Sequence, residues 1–368
     1  KSRALRTDVG WGVIVADFDR DGYLDIISSC DHWYGLRYFH GGSGGFERHE
    51  DIEVQLDPNL NETVDQVDTG GRLAVKRPKN IRHAASGHAR WPIAVDVNMD
   101  GWLDLVVPLI YEDRSYVLWG GPNGFSRENR MELSAFGCVS ARAADLDGNG
   151  YPEVILGAHA TQVNGNVLYR NPHHSYVHIY WNGPQGLSEA NKAILRCDAG
   201  DSMSIADYNR DGTLDLFVGS YQGEIDRELN SYIYWNRGGS FEEFDRQELV
   251  THVVSGCISA DFNEDGWIDL AAANHKVYGD HVGESYVWWN GPHGFCSQNV
   301  TKLPTCGPHG ICTYEPGNQL TRGPAEFYYS EIRRVNKACV LADVCVEGDV
   351  PNKTWVKLKV RKAADERA

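Results

Sequence analysis

The chain has 368 residues, of which 42% are hydrophobic, so it can bury the core of a large domain and is not a disordered acidic tail. Its formal net charge of -16 argues against a nucleic-acid partner, because phosphate binding needs clustered lysine and arginine. No apolar stretch approaches the roughly 20 residues of a membrane-spanning helix, so the sequence predicts no membrane span.

An acidic segment recurs five times along the chain. The copies read VADFDRDGYLDII from Val15, VDVNMDGWLDLVV from Val95, ADLDGNGYPEVIL from Ala144, ADYNRDGTLDLFV from Ala206 and ADFNEDGWIDLAA from Ala260. Their first aspartates stand at positions 17, 96, 145, 207 and 261, which gives spacings of 79, 49, 62 and 54 residues by subtraction. Such spacings are typical of a four-stranded propeller blade with its loops.

Three strand signals accompany each acidic segment. Short apolar runs before and after it, without a helical period, predict two buried strands. The second run of each copy covers residues 24–28, 103–107, 154–157, 214–219 and 268–273. A third strand with alternating aromatic residues follows at 116–119, 176–181, 232–235 and 286–289, and it ends in a turn such as NGPQGL from Asn182. Glycine and proline in this turn predict that a fourth strand follows.

Four antiparallel strands per copy predict an all-β fold, a β-propeller over residues 1–300 with five recognisable blades and up to seven possible. The repeated pattern D-x-[DN]-x-[DN]-G-x-x-[DE] resembles the FG-GAP (also called VCBS) repeat family, known from integrin-like and microbial secreted propellers. The resemblance covers roughly residues 11–300. The third copy departs from the pattern, with Gly148 between Asp147 and Asn149 and with Glu153 as its last acid.

Each acidic segment predicts a calcium site. Oxygen-bearing side chains at positions 1, 3, 5 and 9 of the loop, with glycine at position 6, suit Ca²⁺, which takes about 6–8 oxygen ligands. Histidine and cysteine are absent from the loops, which argues against zinc or copper. An EF-hand is excluded, because it needs glutamate at position 12 and flanking helices. We expect about five mainly structural Ca²⁺ sites, held by Asp17, Asp19, Asp21 and Asp25; Asp96, Asn98, Asp100 and Asp104; Asp145, Asp147, Asn149 and Glu153; Asp207, Asn209, Asp211 and Asp215; and Asp261, Asn263, Asp265 and Asp269.

The predicted calcium sites also indicate a compartment. Extracellular calcium modules bind at about 10⁻⁴–10⁻³ M, and sites that weak would stay empty in the cytosol. Together with sequons at Asn61, Asn299 and Asn352, this predicts a secreted or extracellular protein, or one in the periplasm or at a cell surface. The nine cysteines include two short-range candidate pairs, Cys306 with Cys312 and Cys339 with Cys345, and the connectivity stays open.

The face opposite the acidic loops is the candidate binding surface. Six or seven residues after the last acid, each copy places a ring-bearing polar residue, and long polar loops follow. Arg90 and Trp91 precede the second copy on the same face. These side chains suit stacking on sugars and hydrogen bonding to the hydroxyl or carboxylate groups of sugars. The alternative is a structural role, in which they cap the ends of the blades. The five ring residues are His32, Tyr111, His159, Tyr221 and His275.

Two functions follow from this surface. The first is an adhesion-type module that binds carbohydrate or an extracellular protein without chemistry, and we expect this one. The second is a polysaccharide lyase or glycoside hydrolase, with catalytic candidates His159, Tyr221, His275 and Arg170, since lyases need a base, an acid and a cation for the substrate carboxylate. Paired carboxylates for a glycosidase are also available in these loops, at Asp226, Glu228, Asp280 and Glu284.

Two segments lack repeat character. Residues 47–90 form a long insertion with a basic cluster at Lys76, Arg77, Lys79 and Arg82, which could grip an anionic ligand or form a solvated loop. Residues 301–368 predict a β-rich appendage, either a partial β-sandwich or a degenerate blade.

Overall fold

The computed structural model describes residues 5, 11–30, 35–54, 89–110, 112–159, 162–163, 166–167, 174–221 and 228–308. Within these residues every regular element is a β-strand. The strands form five antiparallel four-stranded sheets, one for each acidic segment, which confirms the predicted all-β architecture. We call the sheets blades 1 to 5 in chain order. The predicted insertion and appendage lie largely outside the described residues, at 55–88 and 309–368.

The strands of each blade pair in the order in which they occur in the chain. Blade 1 contains β1 (Val13–Ala16), β2 (Asp25–Cys30), β3 (Gly35–His40) and β4 (Arg48–Glu53). Blade 2 contains β5 (Ile93–Val95), β6 (Asp104–Val107), β7 (Ser115–Leu118) and β8 (Arg130–Leu133). Blade 3 contains β9 (Cys138–Ala144), β10 (Glu153–Ala158), β13 (His174–Tyr180) and β14 (Lys192–Asp198), with a short hairpin of β11 (Gln162–Val163) and β12 (Asn166–Val167) before β13. Blade 4 contains β15 (Gly200–Ala206), β16 (Asp215–Ser220), β17 (Asn230–Asn236) and β18 (Phe241–Val250). Blade 5 contains β19 (Val254–Ala260), β20 (Asp269–Asn274), β21 (Val282–Trp288) and β22 (Val300–Cys306).

The fifth blade ends later than the sequence predicts, because β22 continues to Cys306, past the predicted domain boundary at residue 300. All described residues belong to the first of the two units into which the chain divides, Lys1–Pro324 and Ala325–Ala368. Cys306 is exposed, and its predicted partner Cys312 lies outside the described residues, as do Cys339 and Cys345. The described part of the chain holds no helix that is long and apolar enough to cross a bilayer.

Each acidic loop connects the first and second strands of its blade with one constant register. The last acid of the loop is the first residue of the second strand, and it pairs with the residue just before the loop, as in Ala16 with Asp25 and Ala144 with Glu153. The second strands are apolar on both faces, and β6, β10 and β16 are buried along their whole length. A strand buried on both faces needs a neighbouring layer on each side.

Those neighbouring layers are the adjacent blades. Separate apolar clusters fill the spaces between consecutive blades, for example Ile27 of blade 1 against Leu105 of blade 2, and Phe217 of blade 4 against Leu270 of blade 5. The first strands β1, β5, β9, β15 and β19 contact one another in chain order, so they form the inner row of the arrangement. The fold is therefore propeller-like.

The two ends of the row of blades expose apolar side chains. Val13 of β1 is 52% exposed, whereas Met203, at the same position of blade 4, is fully buried. At the other end Phe262, at position 2 of the fifth acidic loop, is 36% exposed, whereas Phe18 and Tyr208 at the same position are at most 5% exposed. These positions lie between blades everywhere else in the row.

Candidate functional site

The acidic loops are organised by hydrogen bonds from their own backbone to their side chains. In the first loop Asp17 accepts from the amides of Asp21 and Gly22, at 3.1 and 3.0 Å. Asp19 accepts from the Asp21 amide at 3.2 Å, and Asp21 accepts from the Tyr23 amide at 2.8 Å. The same bonds recur in the second, fourth and fifth loops. They turn the side-chain oxygens of positions 1, 3 and 5 toward one another.

Position 4 of every loop has a left-handed backbone conformation. Arg20, Met99, Arg210 and Glu264 have φ values of 61°, 59°, 60° and 59°. The third loop places Gly148 there, with a φ of 75°. Since glycine adopts positive φ without steric cost, the apparent departure of the third copy is the residue that best fits the shared backbone.

The last acid of each loop is a fully buried carboxylate. Asp104 accepts from the Val97 amide at 2.8 Å inside its own loop and from the Gly120 amide at 2.8 Å, where the turn between the third and fourth strands begins. The equivalent acids of the other four blades accept the equivalent pair of amides. The acidic loop and the third turn therefore lie on one side of each blade, which we call the loop face.

Burial is the main influence on these carboxylates. It raises the pKa of Asp104, Glu153 and Asp215 to about 7, although the donating amides act in the opposite direction. Burial also raises the pKa of Asp96 and Asp207 at position 1, and the neighbouring acids of the loop add to that increase. Without a cation, the charged forms of these groups are thus disfavoured in the folded protein.

The loops fit a divalent cation. Oxygen atoms of Asp17, Asp19 and Asp21 lie within 4.8 Å of one another. In the third loop the same holds for Asp145, Asp147 and Glu153. One oxygen of Asp145 (Oδ1) is buried and has no hydrogen-bond partner among the described residues. A carboxylate oxygen buried without a donor is costly, and a cation at this point would satisfy it.

Buried asparagines connect neighbouring blades at the loop face. The Nδ2 group of Asn236, which begins the third turn of blade 4, donates to the Leu146 carbonyl of blade 3 at 2.8 Å and to the Leu214 carbonyl of its own loop at 3.0 Å. Asn182 and Asn290 make the equivalent pairs of bonds across the next interfaces. The sequence does not predict this role, because the bonds that cross between blades join residues 82 to 90 positions apart.

The opposite face brings three of the predicted ring residues together. His159 and Tyr221 have ring centroids 5.6 Å apart, and Tyr221 and His275 are 6.1 Å apart with nearly parallel rings. His281 extends the row with an edge contact to His275 at 4.6 Å. We call these four residues the aromatic row. His32 and Tyr111 lie outside the described residues.

The recurring position of these rings has a backbone cause. The amides of His159, Tyr221 and His275 donate to carbonyls just before the first strand of the blade, at 2.9, 3.0 and 2.9 Å. The imidazole Nδ1 of His159 lies 2.6 Å from Oδ1 of Asp201, which is buried. The aromatic row therefore carries an oriented histidine and a buried carboxylate.

Arg90 and Trp91 lie before β5, beside blade 1. The Arg90 guanidinium stacks over the Trp11 ring at 4.1 Å, and Trp11 meets Trp91 edge to face at 6.5 Å. Arg90 is buried, and its Nε has no hydrogen-bond partner among the described residues. Arg170, the remaining catalytic candidate, lies outside the described residues.

A further polar cluster lies beside the aromatic row. His252, which is buried, contacts Glu228 through Nδ1 and the Tyr286 hydroxyl through Nε2, the latter at 2.9 Å. Asp280 accepts from the Val282 amide at 3.0 Å, and Glu284 pairs with Lys302 at 3.5 Å. Glu228, Asp280 and Glu284, the described acids considered for a glycosidase, thus each contact a different residue of this chain. Asp226 lies outside the described residues. No repeat signal points to His252, because it stands between the fourth strand of one blade and the first strand of the next.

Comparison with known families agrees with this architecture. The FG-GAP-like repeat matches residues 96–156 and 207–272, which contain the second to fifth acidic loops. The resemblance to the FG-GAP repeat family is therefore confirmed, and the chain carries FG-GAP-like repeats in both places.

Individual relatives share part of the chain. Human integrin alpha-7 is 27% identical over 177 residues, which is 45% of this chain and 13% of that protein. Integrin alpha pat-2 of Caenorhabditis briggsae is 27% identical over 183 residues, covering 44% of this chain and 14% of that protein. The match thus spans a small part of these relatives' length. Among solved structures, the V. cholerae biofilm matrix protein Bap1 aligns with a TM-score of 0.44 and 15% identity, covering 82% of this chain and 41% of that chain.

Proposed function

We propose that this protein is an extracellular β-propeller, stabilised by about five Ca²⁺ ions in its acidic loops, that binds carbohydrate through the face opposite those loops. The observation that carries the binding part is the aromatic row, in which His159, Tyr221, His275 and His281 form one contiguous set of rings across three blades. Buried Asp201 beside the row adds a hydrogen-bond acceptor.

The calcium part rests on the donor set of the loops. The side chains of positions 1, 3, 5 and 9 would hold the ion, and when bound it supplies the positive charge that the clustered carboxylates lack. All five loops hold three acids or more, and in the first and third loops the oxygens of three acids already lie within 4.8 Å of one another. The ion would thereby tie the first hairpin of each blade to the turn that its position 9 acid contacts.

The carbohydrate part rests on the chemistry of the aromatic row. Flat rings offer apolar faces to the C–H groups of a sugar, and histidine and aspartate bond to its hydroxyl groups. Consecutive rings of the row lie 5.6, 6.1 and 4.6 Å apart, which suits an extended chain of sugar units better than a single ring. In this proposal the polysaccharide binds along the aromatic row and extends from blade 3 to blade 5.

A glycan panel tests the binding proposal. The full chain in millimolar Ca²⁺ is expected to bind at least one neutral or acidic polysaccharide, and Tyr221→Ala is expected to weaken that binding at least tenfold. Tyr23→Ala removes an exposed tyrosine from the loop face and serves as the matched control. Equal losses in both variants, or no binding to any glycan, would contradict the proposal and would favour a protein partner.

The His159–Asp201 contact favours polysaccharide lyase activity as a second candidate. With Asp201 accepting from Nδ1–H at 2.6 Å, the lone pair of the imidazole lies on Nε2, the arrangement of a general base. In this reaction His159 takes the proton at C5 of a uronide, the C4–O bond breaks, a C4–C5 double bond forms and Tyr221 protonates the leaving oxygen. Ultraviolet absorbance of the unsaturated product is the readout. Absorbance that grows in wild type and not in His159→Ala supports a lyase, and binding without absorbance supports the module without chemistry.

A further inference from the structure

Blade 1 differs from the other blades at the end of its third strand. Blades 2 to 5 place tryptophan directly before the third turn, whereas blade 1 places His40 there. His40 is 6% exposed, and its ring stacks on Tyr38 with centroids 3.9 Å apart. The four tryptophans are Trp119, Trp181, Trp235 and Trp289.

The imidazole of His40 points into the first acidic loop. Its Nδ1 lies 3.3 Å from Oδ2 of Asp19. A ring nitrogen of His40 and oxygens of Asp19 and Asp25 all lie within 4.8 Å of one another. This group is distinct from the all-oxygen group of Asp17, Asp19 and Asp21, with which it shares one residue. The first loop thus combines oxygen donors with one nitrogen donor.

The other side of the imidazole faces a second carboxylate. The Nε2 atom of His40 lies 3.2 Å from Oε1 of Glu50, and 3.0 Å from a guanidinium nitrogen of Arg48. Arginine can only donate, so in the cation-free protein Arg48 holds Nε2 as the acceptor and Nδ1 carries the proton toward Asp19. When a cation takes Nδ1, the proton sits on Nε2, which then donates a hydrogen bond to the Glu50 carboxylate in place of accepting one from Arg48. A carboxylate behind the imidazole is the arrangement that commonly orients metal-binding histidines.

The charge of the first loop also stands apart. Positions 1, 3, 5 and 9 are all aspartate in this loop, whereas position 3 is asparagine in the second, fourth and fifth loops. Imidazole is a poor ligand for Ca²⁺ and a good one for zinc, cobalt, nickel and copper, and added negative charge strengthens binding of any divalent ion.

We infer that the acidic loop of blade 1 holds a first-row divalent transition ion, with His40 as its nitrogen ligand and Glu50 as the residue that positions the imidazole. The inference rests on the proposed function in one respect, that the acidic loops hold divalent cations. It differs from the expectation that all five loops are oxygen-only, which considered the loop residues and not the strand that ends beside them.

Cobalt provides the probe, because its visible spectrum reports on its ligands. The full chain is stripped with a chelator, reloaded with millimolar Ca²⁺ and titrated with Co²⁺. One equivalent of Co²⁺ is expected to bind despite the excess calcium, and pulsed electron paramagnetic resonance is expected to show coupling to a nitrogen nucleus. His40→Phe should lose this preference, and Glu50→Gln should weaken Co²⁺ binding roughly 10–100-fold. His293→Phe removes an exposed histidine from the third turn of blade 5 and is the matched control.

The outcomes separate this inference from the proposed calcium sites. Calcium retained at the other four loops in His40→Phe shows that the variant has folded. Wild-type protein that binds Ca²⁺ at all loops and shows no preferred Co²⁺ site, or a Co²⁺ site without nitrogen coupling, overturns the inference and leaves the calcium proposal standing. A chain that binds neither ion overturns both.

Discussion

At the scale of the residue, the acidic loops depend on two backbone positions. Position 4 and position 6 both take positive φ, and glycine fills position 6 in every copy. Gly101 has a φ of 93°, and the nearest atom that an added Cβ would meet is the far end of the Arg20 side chain at 3.3 Å. The conformation of the backbone, more than lack of space, therefore requires glycine at this position.

The variant Gly101→Ala tests whether position 6 of the loop has this left-handed backbone conformation. The variant is expected to lower the free energy of unfolding by about 1–2 kcal/mol, the cost of holding a residue with a Cβ in the left-handed region. Gly121→Ala is the matched control, because an added Cβ there meets nothing within 4 Å and its φ is not in the positive range. Chemical denaturation of both variants measures the difference, and equal stabilities would show that the loop does not have the described backbone.

At the scale of the element, the blades are joined at the loop face by buried side-chain amides. Asn236 is fully buried, and its Nδ2 group donates to carbonyls of two blades. Asn236→Ala leaves both carbonyls without this donor, so we expect a loss of about 1–3 kcal/mol in unfolding free energy. Asn191→Ala removes an exposed asparagine whose one side-chain hydrogen bond within the described part of the chain spans 3.4 Å, and it should change stability by less than about 0.5 kcal/mol. Similar losses in the two variants would contradict a connecting role for Asn236.

A half-buried histidine on β13, His178, predicts a pH dependence. Burial, helped by Lys192, lowers the pKa of His178 to about 4, while Glu189 acts in the opposite direction. Above pH 6.5 the ring is neutral in both the folded and the unfolded chain. Between pH 6.5 and 4 only the unfolded chain binds the proton, so stability falls as the pH falls, by up to about 3 kcal/mol.

The contribution of His178 to the pH dependence of stability is measured by comparing wild type with the variant His178→Phe. The stability of wild type minus that of His178→Phe is expected to decrease as the pH falls from 6.5 toward 4, because contributions common to both proteins cancel. His293→Phe, which removes an exposed histidine, is the matched control for the substitution itself. A flat difference for His178 would mean that its imidazole is solvated.

At the scale of the whole molecule, the sequence predicts the loops and strands that recur in each blade. It does not predict the contacts between residues of different blades. The acidic loops and their flanking strands follow from local spacing, since Asp96 to Asp104 carries its own turn signals and hydrophobic runs. The asparagine connections and the ligand role inferred for His40 depend on pairs such as Asn290 with Tyr208, which are far apart in the chain. Nothing in a local pattern marks which asparagine of a turn reaches the neighbouring blade.

The contacts within the aromatic row, on the opposite face, are likewise not predicted by local sequence patterns. The recurrence of a ring six or seven residues after the last acid predicts that His159, Tyr221 and His275 occupy equivalent places. Their contiguity follows from packing of the blades, and so does the position of Asp201 beside His159. His281 joins the row from a longer loop whose path no repeat signal specifies.

Cation occupancy of the acidic loops is the central claim, and elemental analysis with thermal unfolding tests it most directly. The full chain, dialysed against millimolar Ca²⁺, is expected to retain about five divalent ions, and Asp261→Asn, which alters position 1 of the fifth loop, about four. A chelator should lower the melting temperature, since millimolar Ca²⁺ is about 1–10 times the Kd of such sites and each bound ion then adds roughly 0.4–1.4 kcal/mol to the folded state. A protein that carries no divalent ion and melts at the same temperature with and without chelator would contradict the account.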